Sequence, residues 1–239
     1  MKTQKKIYYL FENYLPTQIF RLLRSFLNEK NRTQPISFAK IYEKNIFGSF
    51  ESKSRPGSEL IKTSKIRELL PQLFQKYKIK SLLDAPCGDF NWMKTLNLDN
   101  IDYLGVDIVK DLIEDNTKYY SKPHIKFKKM DVRFDTLPKV DLILCRDLLQ
   151  HLPTSDIFDV LDSFKKSKSK YLLIGSYPKT IRNWDISLGG FMPINLLKKP
   201  FLLGEPLLKI KENNDGYLTD RYLYLYKIND LQNSEDLNN

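Results

Sequence analysis

The sequence has little cysteine and lacks a long apolar run. Its two cysteines, Cys87 and Cys145, are too few for a disulfide framework or a zinc cluster, so we expect a reducing compartment, no metal and two small packing residues. No stretch reaches the roughly 20 apolar residues that cross a bilayer, and the N-terminal "IYYLF" is shorter than the apolar part of a signal peptide. We therefore expect a cytoplasmic protein.

Glycine is scarce where a phosphate-binding loop would need it. The stretch "SLLDAPCGDFNW", residues 81–92, is an apolar run that ends on Asp84 and continues into a loop with one glycine, Gly88. Dinucleotide and nucleoside triphosphate sites need several glycines and bare backbone amides, and Asp89 at the start of the next helix would repel a phosphate. The sequence therefore disfavours both ligand classes.

Positive charge exceeds negative charge, with 39 Lys and Arg against 29 Asp and Glu and a formal net charge of +10. Such a field attracts phosphates, acidic glycans or an anionic membrane surface. The basic residues are spread along the whole chain, and neither an arginine-rich arm nor a nucleic-acid-binding motif is present. Nucleic acid is therefore a disfavoured partner.

Short apolar segments alternate with helical patterns over most of the chain. The strand candidates are "KSLLD", "DYLGVD", "IKFKKMD", "VDLILCRD" and "KYLLIGSY", and the final "PLLKIKEN" and "RYLYLYKI" predict a hairpin at the sheet edge. Alternation of this kind is typical of an α/β fold with a parallel sheet covered on both faces. We therefore predict a doubly wound, Rossmann-like, mostly parallel sheet.

Three segments have the patterning of helices. The segment "TSDIFDVLDSF" is amphipathic, with Thr154 or Ser155 available as the N-cap. Pro71 either kinks the helix that begins near Leu60 or opens a second one. Residues 17–28, "TQIFRLLRSFLN", have helical spacing, which predicts a cover for the domain's own core or, alternatively, a basic membrane-surface anchor.

Aspartates follow four of the predicted strands. They are Asp84, Asp107, Asp131 and Asp147. Ligands of open parallel sheets bind at the carboxyl ends of the strands, near the point where strand order reverses. Carboxylates at that edge favour a cationic ligand that carries ribose hydroxyls and no phosphates, such as S-adenosylmethionine.

At these positions the sequence resembles the class I S-adenosylmethionine-dependent methyltransferases, over roughly residues 65–228. The matching motifs are "LLDAPCGDF", "YLGVD" and "KKMDV". The resemblance implies a seven-stranded sheet in which Asp84 lies near the methionine ammonium, Asp107 holds the ribose and Asp131 lies beside the adenine. The cofactor residues that it implies are Asp84, Ala85, Pro86, Gly88, Asp89, Asn91, Trp92, Asp107, Ile108, Asp131, Val132 and Arg146.

The first loop departs from the usual glycine pattern of that family, because Pro86 and Phe90 stand where two glycines would fall. "FNWM" and "NWDISLGGFMPINLLKKPF" resemble an uncharacterised bacterial and viral subgroup presumed to modify sugars. The domain organisation we predict is a helical N-terminal extension and lid loop over residues 1–60, a cofactor-binding domain over 61–228 and a disordered tail over 229–239.

The predicted chemistry is methyl transfer to oxygen on a sugar, a glycan or another small polar acceptor. His151 is the candidate base and Asp147, four residues earlier, would orient its ring if both lie on one helix. The sequence lacks the Pro-Pro-aromatic motif of adenine amino methylation, and its Pro-Cys pair lies in the cofactor loop instead of after the fourth strand. A hydroxyl acceptor is therefore favoured.

Loops at the carboxyl edge supply the predicted acceptor pocket. Its residues are Ser54, Arg55, Ser58, Tyr177, Arg182, Asn183, Trp184, Asp185 and Asn195. Two other functions stay open. One is an RNA methyltransferase that the positive charge draws to its substrate. The other is a non-catalytic member of the fold that binds the cofactor or a partner protein.

Overall fold

The computed structural model describes residues 37–44, 49–54, 56–212 and 220–231. The predicted helix over residues 17–28, the predicted pocket residue Arg55 and the tail from residue 232 lie outside these ranges. At the C-terminal end, Ile228–Asp230 forms a 3-10 turn and Leu231 is buried. The folded part therefore extends past the predicted domain boundary at residue 228.

Seven strands form one sheet. They are β1 (Ser81–Asp84), β2 (Asp102–Asp107), β3 (Ile125–Lys129), β4 (Leu142–Cys145), β5 (Tyr171–Ser176), β6 (Leu208–Lys211) and β7 (Tyr222–Lys227). Their order is β3-β2-β1-β4-β5-β7-β6, with β1 to β5 parallel and β7 antiparallel to both of its neighbours. This arrangement confirms the predicted doubly wound sheet and its antiparallel edge hairpin.

Four α-helices accompany the sheet within the described ranges. They are α1 (Phe38–Glu43), α2 (Leu60–Tyr77), α3 (Lys110–Tyr120) and α4 (Thr154–Lys166). Pro71 lies inside α2, so it neither ends that helix nor opens a second one, and its exposed position leaves its ring away from the core. No helix among the described residues combines the length and the apolar character needed to cross a membrane.

The start of α4 differs from the sequence prediction. Pro153 occupies the N-cap position, so neither Thr154 nor Ser155 is the cap. The Asp185 carboxylate, from the segment after β5, instead accepts a hydrogen bond of 2.7 Å from the Thr154 amide. An acidic side chain thus meets the positive end of the helix dipole from a distant part of the chain.

The core lies on both faces of the sheet because successive strand residues point to opposite sides. On one face Leu83 and Ile143 pack with residues of α4, including Val160. On the other face Leu82 packs with residues of α2, including Leu70. Short strands that are buried on both faces consist of consecutive apolar residues, and for this reason such strands could be predicted from the sequence.

Candidate functional site

A cavity lies at the carboxyl ends of the parallel strands, with about 1120 Å³ of empty space including its open mouth. All four aspartates that follow the predicted strands line it: Asp84, Asp107, Asp131 and Asp147. The order of the sheet explains this meeting, because β4, β1, β2 and β3 are successive neighbours with their carboxyl ends at one edge.

Asp84 is the most deeply buried of these acids, with 3% of its surface exposed. Its Oδ2 accepts a hydrogen bond of 2.7 Å from the Tyr103 hydroxyl. Burial raises the pKa of Asp84 to about 7, against the opposing effects of Tyr103 and Arg146. A buried carboxyl group without a full counter-ion is suited to a cationic partner.

Asp107 ends β2 and faces backbone amides. Its Oδ1 accepts a hydrogen bond of 3.0 Å from the Val109 amide, and the amides of Gly88 and Ile108 also bind the carboxyl group. Burial nevertheless raises the pKa of Asp107 to about 6. Because the carboxyl group has no cationic partner among these contacts, it keeps acceptor capacity for hydroxyl groups of a ligand.

The first loop offers no amide for a phosphate, since each amide of residues 85–90 is bonded within the protein or, at Pro86, does not exist. The acceptors are the carbonyl of Leu144 for Ala85, the carbonyl of Val106 for Cys87, the Asp107 carboxylate for Gly88, Ser54 Oγ for Asp89 and the carbonyl of Cys87 for Phe90. A pyrophosphate would therefore meet carboxylates instead of donors, as the sequence indicated.

Gly88 has a positive φ of 54° and touches a neighbouring segment closely. A Cβ built on it would lie 2.6 Å from Ser54 Oγ. Its carbonyl accepts a hydrogen bond of 2.7 Å from Asn116 of α3. The glycine is therefore required both for the backbone conformation and for the approach of Ser54.

Asp131 is already paired. Its carboxylate accepts hydrogen bonds from Arg133 at 2.9 Å and 2.6 Å, and Arg133 also pairs with Asp156 of α4. Burial opposes ionisation of Asp131, but the bonds from Arg133 outweigh it and lower its pKa. Val132 and Met130 add an apolar wall beside it, which suits a planar base.

Three predicted cofactor residues do not line this cavity: Ala85, Asp89 and Asn91. Asp89 Oδ2 instead accepts bonds from the Ser52 hydroxyl at 2.9 Å and the Lys53 amide at 2.8 Å. Asn91 donates to Glu51 at 2.7 Å and to the Ser58 carbonyl at 3.2 Å. Both residues thus fasten residues 49–54 and 56–59, called the strap below, to the cofactor loop.

The strap and α1 cover one side of the cavity. Lys53, Ser54 and Ser58 line it from the strap, and Phe38, Ile41 and Tyr42 line it from α1. Sequence reasoning predicted the two serines but missed Lys53 and all of α1. The signals for α1 were Ser37, a residue type that caps helices, and the i, i+3, i+4 spacing of the apolar residues, both of which are typical of any amphipathic helix.

Asp147 lies in a cluster of ion pairs rather than on a helix with His151. It has a positive φ of 61°, and it pairs with Arg146 and Arg221 while accepting a bond of 2.8 Å from Gln150. Burial opposes its ionisation, but the charges of Arg221 and Arg146 outweigh burial and hold its pKa below the usual range. The spacing argument for an Asp147–His151 pair therefore does not hold.

His151 is buried beneath the segment that follows β5 and does not line this cavity. Its Nδ1 lies 2.7 Å from the Gly190 carbonyl oxygen, and its ring packs beside Phe191. Because a carbonyl can only accept, Nδ1 carries the proton and Nε2 is the basic nitrogen of the neutral ring. Gly190 thus orients the ring through Nδ1, the task expected of Asp147.

The structure separates the predicted acceptor residues into two groups. Ser54 and Ser58 line the cavity, whereas none of the described residues predicted from the segment after β5 does. Asn183 binds the carbonyls of Asn195 and Lys199, both at 2.9 Å, and Asn195 binds the carbonyls of Pro178 and Thr180. These amides therefore hold that segment together.

The other predicted residues of that segment have their own contacts. Arg182 stacks on Trp184 at 4.2 Å from the ring centroid, and Trp184 is 37% exposed. Asp185 caps α4 through the Thr154 amide. Tyr177 is buried near the ion-pair cluster, and burial raises the pKa of its hydroxyl. An acceptor role for these side chains remains a prediction.

Both cysteines, Cys87 and Cys145, are free and buried. Burial raises the pKa of both the Cys87 and the Cys145 thiols, so both are neutral at ordinary pH, and Cys87 lines the cavity. Neutral thiols are poor nucleophiles. In the described part of the chain, no group of three His, Cys, Asp or Glu residues is arranged to hold a metal ion.

Comparison with known proteins identifies the fold. No protein-family model and no curated protein sequence matches the chain. The N-methyltransferase NodS from Bradyrhizobium japonicum WM9, in complex with S-adenosyl-L-homocysteine, is similar in structure, with a TM-score of 0.60, 18% identity, and 79% of this chain and 97% of that chain covered.

Two further solved structures are similar. Magnesium protoporphyrin IX methyltransferase (ChlM) from Synechocystis PCC 6803 has a TM-score of 0.52 and 11% identity, with 85% of this chain and 97% of that chain covered. An S-adenosylmethionine-dependent methyltransferase from Clostridium acetobutylicum ATCC 824 has a TM-score of 0.52 and 13% identity, with 69% and 91% covered. The chain therefore has the class I methyltransferase fold, as the sequence predicted.

Proposed function

We propose that the protein is an S-adenosylmethionine-dependent methyltransferase that acts on a hydroxyl group of a sugar, a glycan or another small polar acceptor. The observation that carries the proposal is the cavity at the carboxyl edge of this fold, where Asp84 is buried, Asp107 is half-buried and neither carboxylate forms an ion pair among the described residues. S-adenosylmethionine, when bound, supplies a methyl group on a positively charged sulfur.

The residues of the cavity fit that cofactor. Asp84 would hold the ammonium group, Asp107 would accept hydrogen bonds from the ribose hydroxyls, and Asp131 with Val132 would lie beside the adenine. The loop's lack of donors for phosphate supports the same choice over a dinucleotide. The complex of NodS with S-adenosyl-L-homocysteine supports it further, since that protein shares the fold.

The acceptor is proposed to bind beside the carboxyl end of β4, where Asp147 lines the cavity. His151, whose ring the Gly190 carbonyl orients, would remove the hydroxyl proton with Nε2. Because His151 is buried and does not line the cavity, the segment after β5 would have to move for the acceptor to reach Nε2. Asp147 would stabilise the imidazolium that forms, because its charge already lies within electrostatic reach of that ring. Alignment of the cofactor's methyl group with the acceptor hydroxyl would account for the rest of the rate enhancement.

The test begins with ligand binding by the purified protein. S-adenosylmethionine at about 100 times its Kd stabilises a one-site protein by about 2.7 kcal/mol, which raises the Tm by roughly 5 °C in a chain of this size. Asp107→Ala should remove most of the shift, and NAD should give none. Equal shifts with NAD would contradict the proposed cofactor.

The second stage identifies the acceptor. The protein is incubated with methyl-labelled cofactor and fractionated host extract, and the labelled material is analysed. Label in a carbohydrate or small polar fraction supports the proposal. Label in RNA that falls steeply with salt would establish the RNA alternative. Cofactor binding without label in any fraction would establish a non-catalytic protein.

A further inference from the structure

A buried bond joins the first two strands beneath the cavity. Tyr103 of β2 pairs in register with Leu82 of β1, and Asp84 lies two residues further along the same face. The Tyr103 hydroxyl therefore reaches along the sheet and donates to Asp84 Oδ2 at 2.7 Å. Tyr103 is 2% exposed, so water does not compete for this bond.

Aromatic neighbours fix the ring that carries the hydroxyl. Phe90 lies 5.1 Å from the Tyr103 ring centroid at 56°, and Phe127 lies 5.8 Å away at 63°. Both arrangements are favourable for aromatic pairs. Because Phe90 belongs to the cofactor loop, the same aromatic cluster fixes the position of the Tyr103 hydroxyl group relative to that loop.

We propose that Tyr103 is a positioning residue that directs the Asp84 carboxylate toward the ammonium group of the cofactor. The inference rests on the proposed function, since S-adenosylmethionine is the ligand that Asp84 would hold. The hydroxyl group occupies Oδ2 and leaves Oδ1 for a ligand in the cavity. It also favours the charged form of Asp84, which an ammonium group needs.

The charges around Asp84 determine the effect of losing this bond. Burial raises its pKa, Tyr103 and Arg146 lower it, and Asp107 raises it. Cys87 and Cys145 lie within electrostatic range of Asp84, but their thiols are neutral because burial raises the pKa of each. Without the Tyr103 hydroxyl, Arg146 alone opposes burial and Asp107, so Asp84 should bind a proton at a higher pH.

The experiment compares Tyr103→Phe with Tyr226→Phe. The control removes another largely buried hydroxyl, which donates to the Gly204 carbonyl instead of Asp84. One measurement is the carboxyl titration of Asp84 in the ligand-free protein, followed by 13C NMR and assigned with Asp84→Asn. The other is the affinity for S-adenosyl-L-homocysteine, measured by calorimetry from pH 6.5 to 9.5.

We expect Tyr103→Phe to raise the titration midpoint by about one pH unit and to weaken binding about threefold at pH 7.5 and about eightfold at pH 6.5, with the difference shrinking above pH 9. The control should change neither. An unchanged midpoint together with unchanged affinity would overturn the inference. If the wild-type protein binds no ligand at any pH, the proposed function fails, and the titration alone still decides whether Tyr103 controls Asp84.

A second substitution keeps the test decisive if Tyr103→Phe does not fold. Tyr103→3-fluorotyrosine retains the size and the hydroxyl group of the ring but makes the phenol a stronger donor. It should lower the Asp84 midpoint and tighten binding near pH 7, which is the opposite direction. A midpoint that does not move would contradict the inference.

Discussion

Gly57 and Arg146 join the strap to the end of β4. The Gly57 carbonyl accepts a hydrogen bond of 2.9 Å from Arg146, and a Cβ built on Gly57 would lie 2.9 Å from Asp147 Oδ2 and 3.1 Å from Arg221 Nη1. The strap thus rests directly on the ion-pair cluster at the cavity wall. No room for a side chain is left between them.

Gly57→Ala should therefore displace the strap. We expect a several-fold loss of affinity for S-adenosyl-L-homocysteine and faster amide hydrogen exchange in residues 49–54, because the added methyl group must displace either the strap or the paired side chains of Asp147 and Arg221. Gly175→Ala is the control, since the nearest atom to its added Cβ is 4.0 Å away. Unchanged exchange in the strap would show that the cluster adapts to the methyl group.

Gly88→Ala tests the contact between the cofactor loop and the strap. Two causes should weaken ligand binding: the positive φ of 54° and the clash with Ser54. Ser54→Gly removes the clash and leaves the backbone strain, which costs about 1 kcal/mol. Calorimetry on the double variant should thus recover part of the lost affinity. Ser54→Gly alone is the control, because it also removes the bond from the Asp89 amide to Ser54 Oγ. If that control binds normally, a double variant no better than Gly88→Ala would mean that backbone strain accounts for the whole loss.

The raised pKa values of Asp84 and Asp107 predict an unusual dependence of stability on pH. The pKa values of Asp84 and Asp107 are raised to about 7 and about 6, so the folded protein binds protons that the unfolded chain, with an ordinary value of 3.8, releases. The ligand-free protein should therefore become more stable as pH falls from about 7 to about 4, by up to about 1.4 kcal/mol per pH unit for each group.

Thermal melts at fixed ionic strength between pH 4.5 and 8 measure this effect. Asp84→Asn should flatten the profile, because the amide does not titrate. The affinity for the ligand should decrease as the pH is lowered below 7, whereas stability increases, because an ammonium group needs the charged form of the Asp84 carboxylate. Stability that instead declines steadily from pH 7 to 4.5 would contradict the assignment of these two groups.

Glu212 does not line the cavity, and its substitution tests the stability that the ion-pair cluster contributes. Its side chain is 2% exposed and holds Arg146 through Oε2 at 2.7 Å and Arg221 through Oε1 at 3.3 Å. Glu212→Gln leaves two buried arginines short of charge, so we expect a loss of about 3 kcal/mol in urea unfolding. Lys209→Gln, which breaks the exposed pair with Glu205, should cost under about 1 kcal/mol. Equal losses would mean that the cluster is effectively solvated.

Substitutions of Asp185 test whether its side chain only caps α4 or also contacts the methyl acceptor. Asp185→Ala should cost about 1 kcal/mol of stability, because the Thr154 amide loses its partner at the helix start. Asp185→Asn should restore most of that stability. Once the acceptor is known, its KM should be unchanged in Asp185→Asn if capping is the only task. A raised KM with normal stability would support the acceptor contact predicted from the sequence.

The sequence predicted the sheet well because its central strands are short apolar runs bounded by polar residues, as at Leu142–Cys145, whereas the edge strands β3 and β6 alternate apolar residues with lysines. It predicted Asp84 and Asp107 as cavity residues for the same reason, since parallel strands bring their ends to one edge. It could not predict the contacts of Asp89 with the strap, because residues 36 and 37 positions apart meet only after the sheet has formed. It could not predict that Asp147 has a positive φ and precedes the 3-10 turn Leu149–His151 instead of sharing a helix with His151.

The reversed direction of β7 has a consequence for locating such sites. In an all-parallel sheet, the residues at the ligand-binding edge are those that follow the strands. The residues that precede each strand lie at the opposite edge. Since Tyr222–Lys227 runs the other way, the residue just before it, Arg221, arrives at the same rim as Asp147. One inverted strand thus supplies, from its own beginning, the ion-pair partner of a cavity residue, and a search confined to strand endings would miss that contribution.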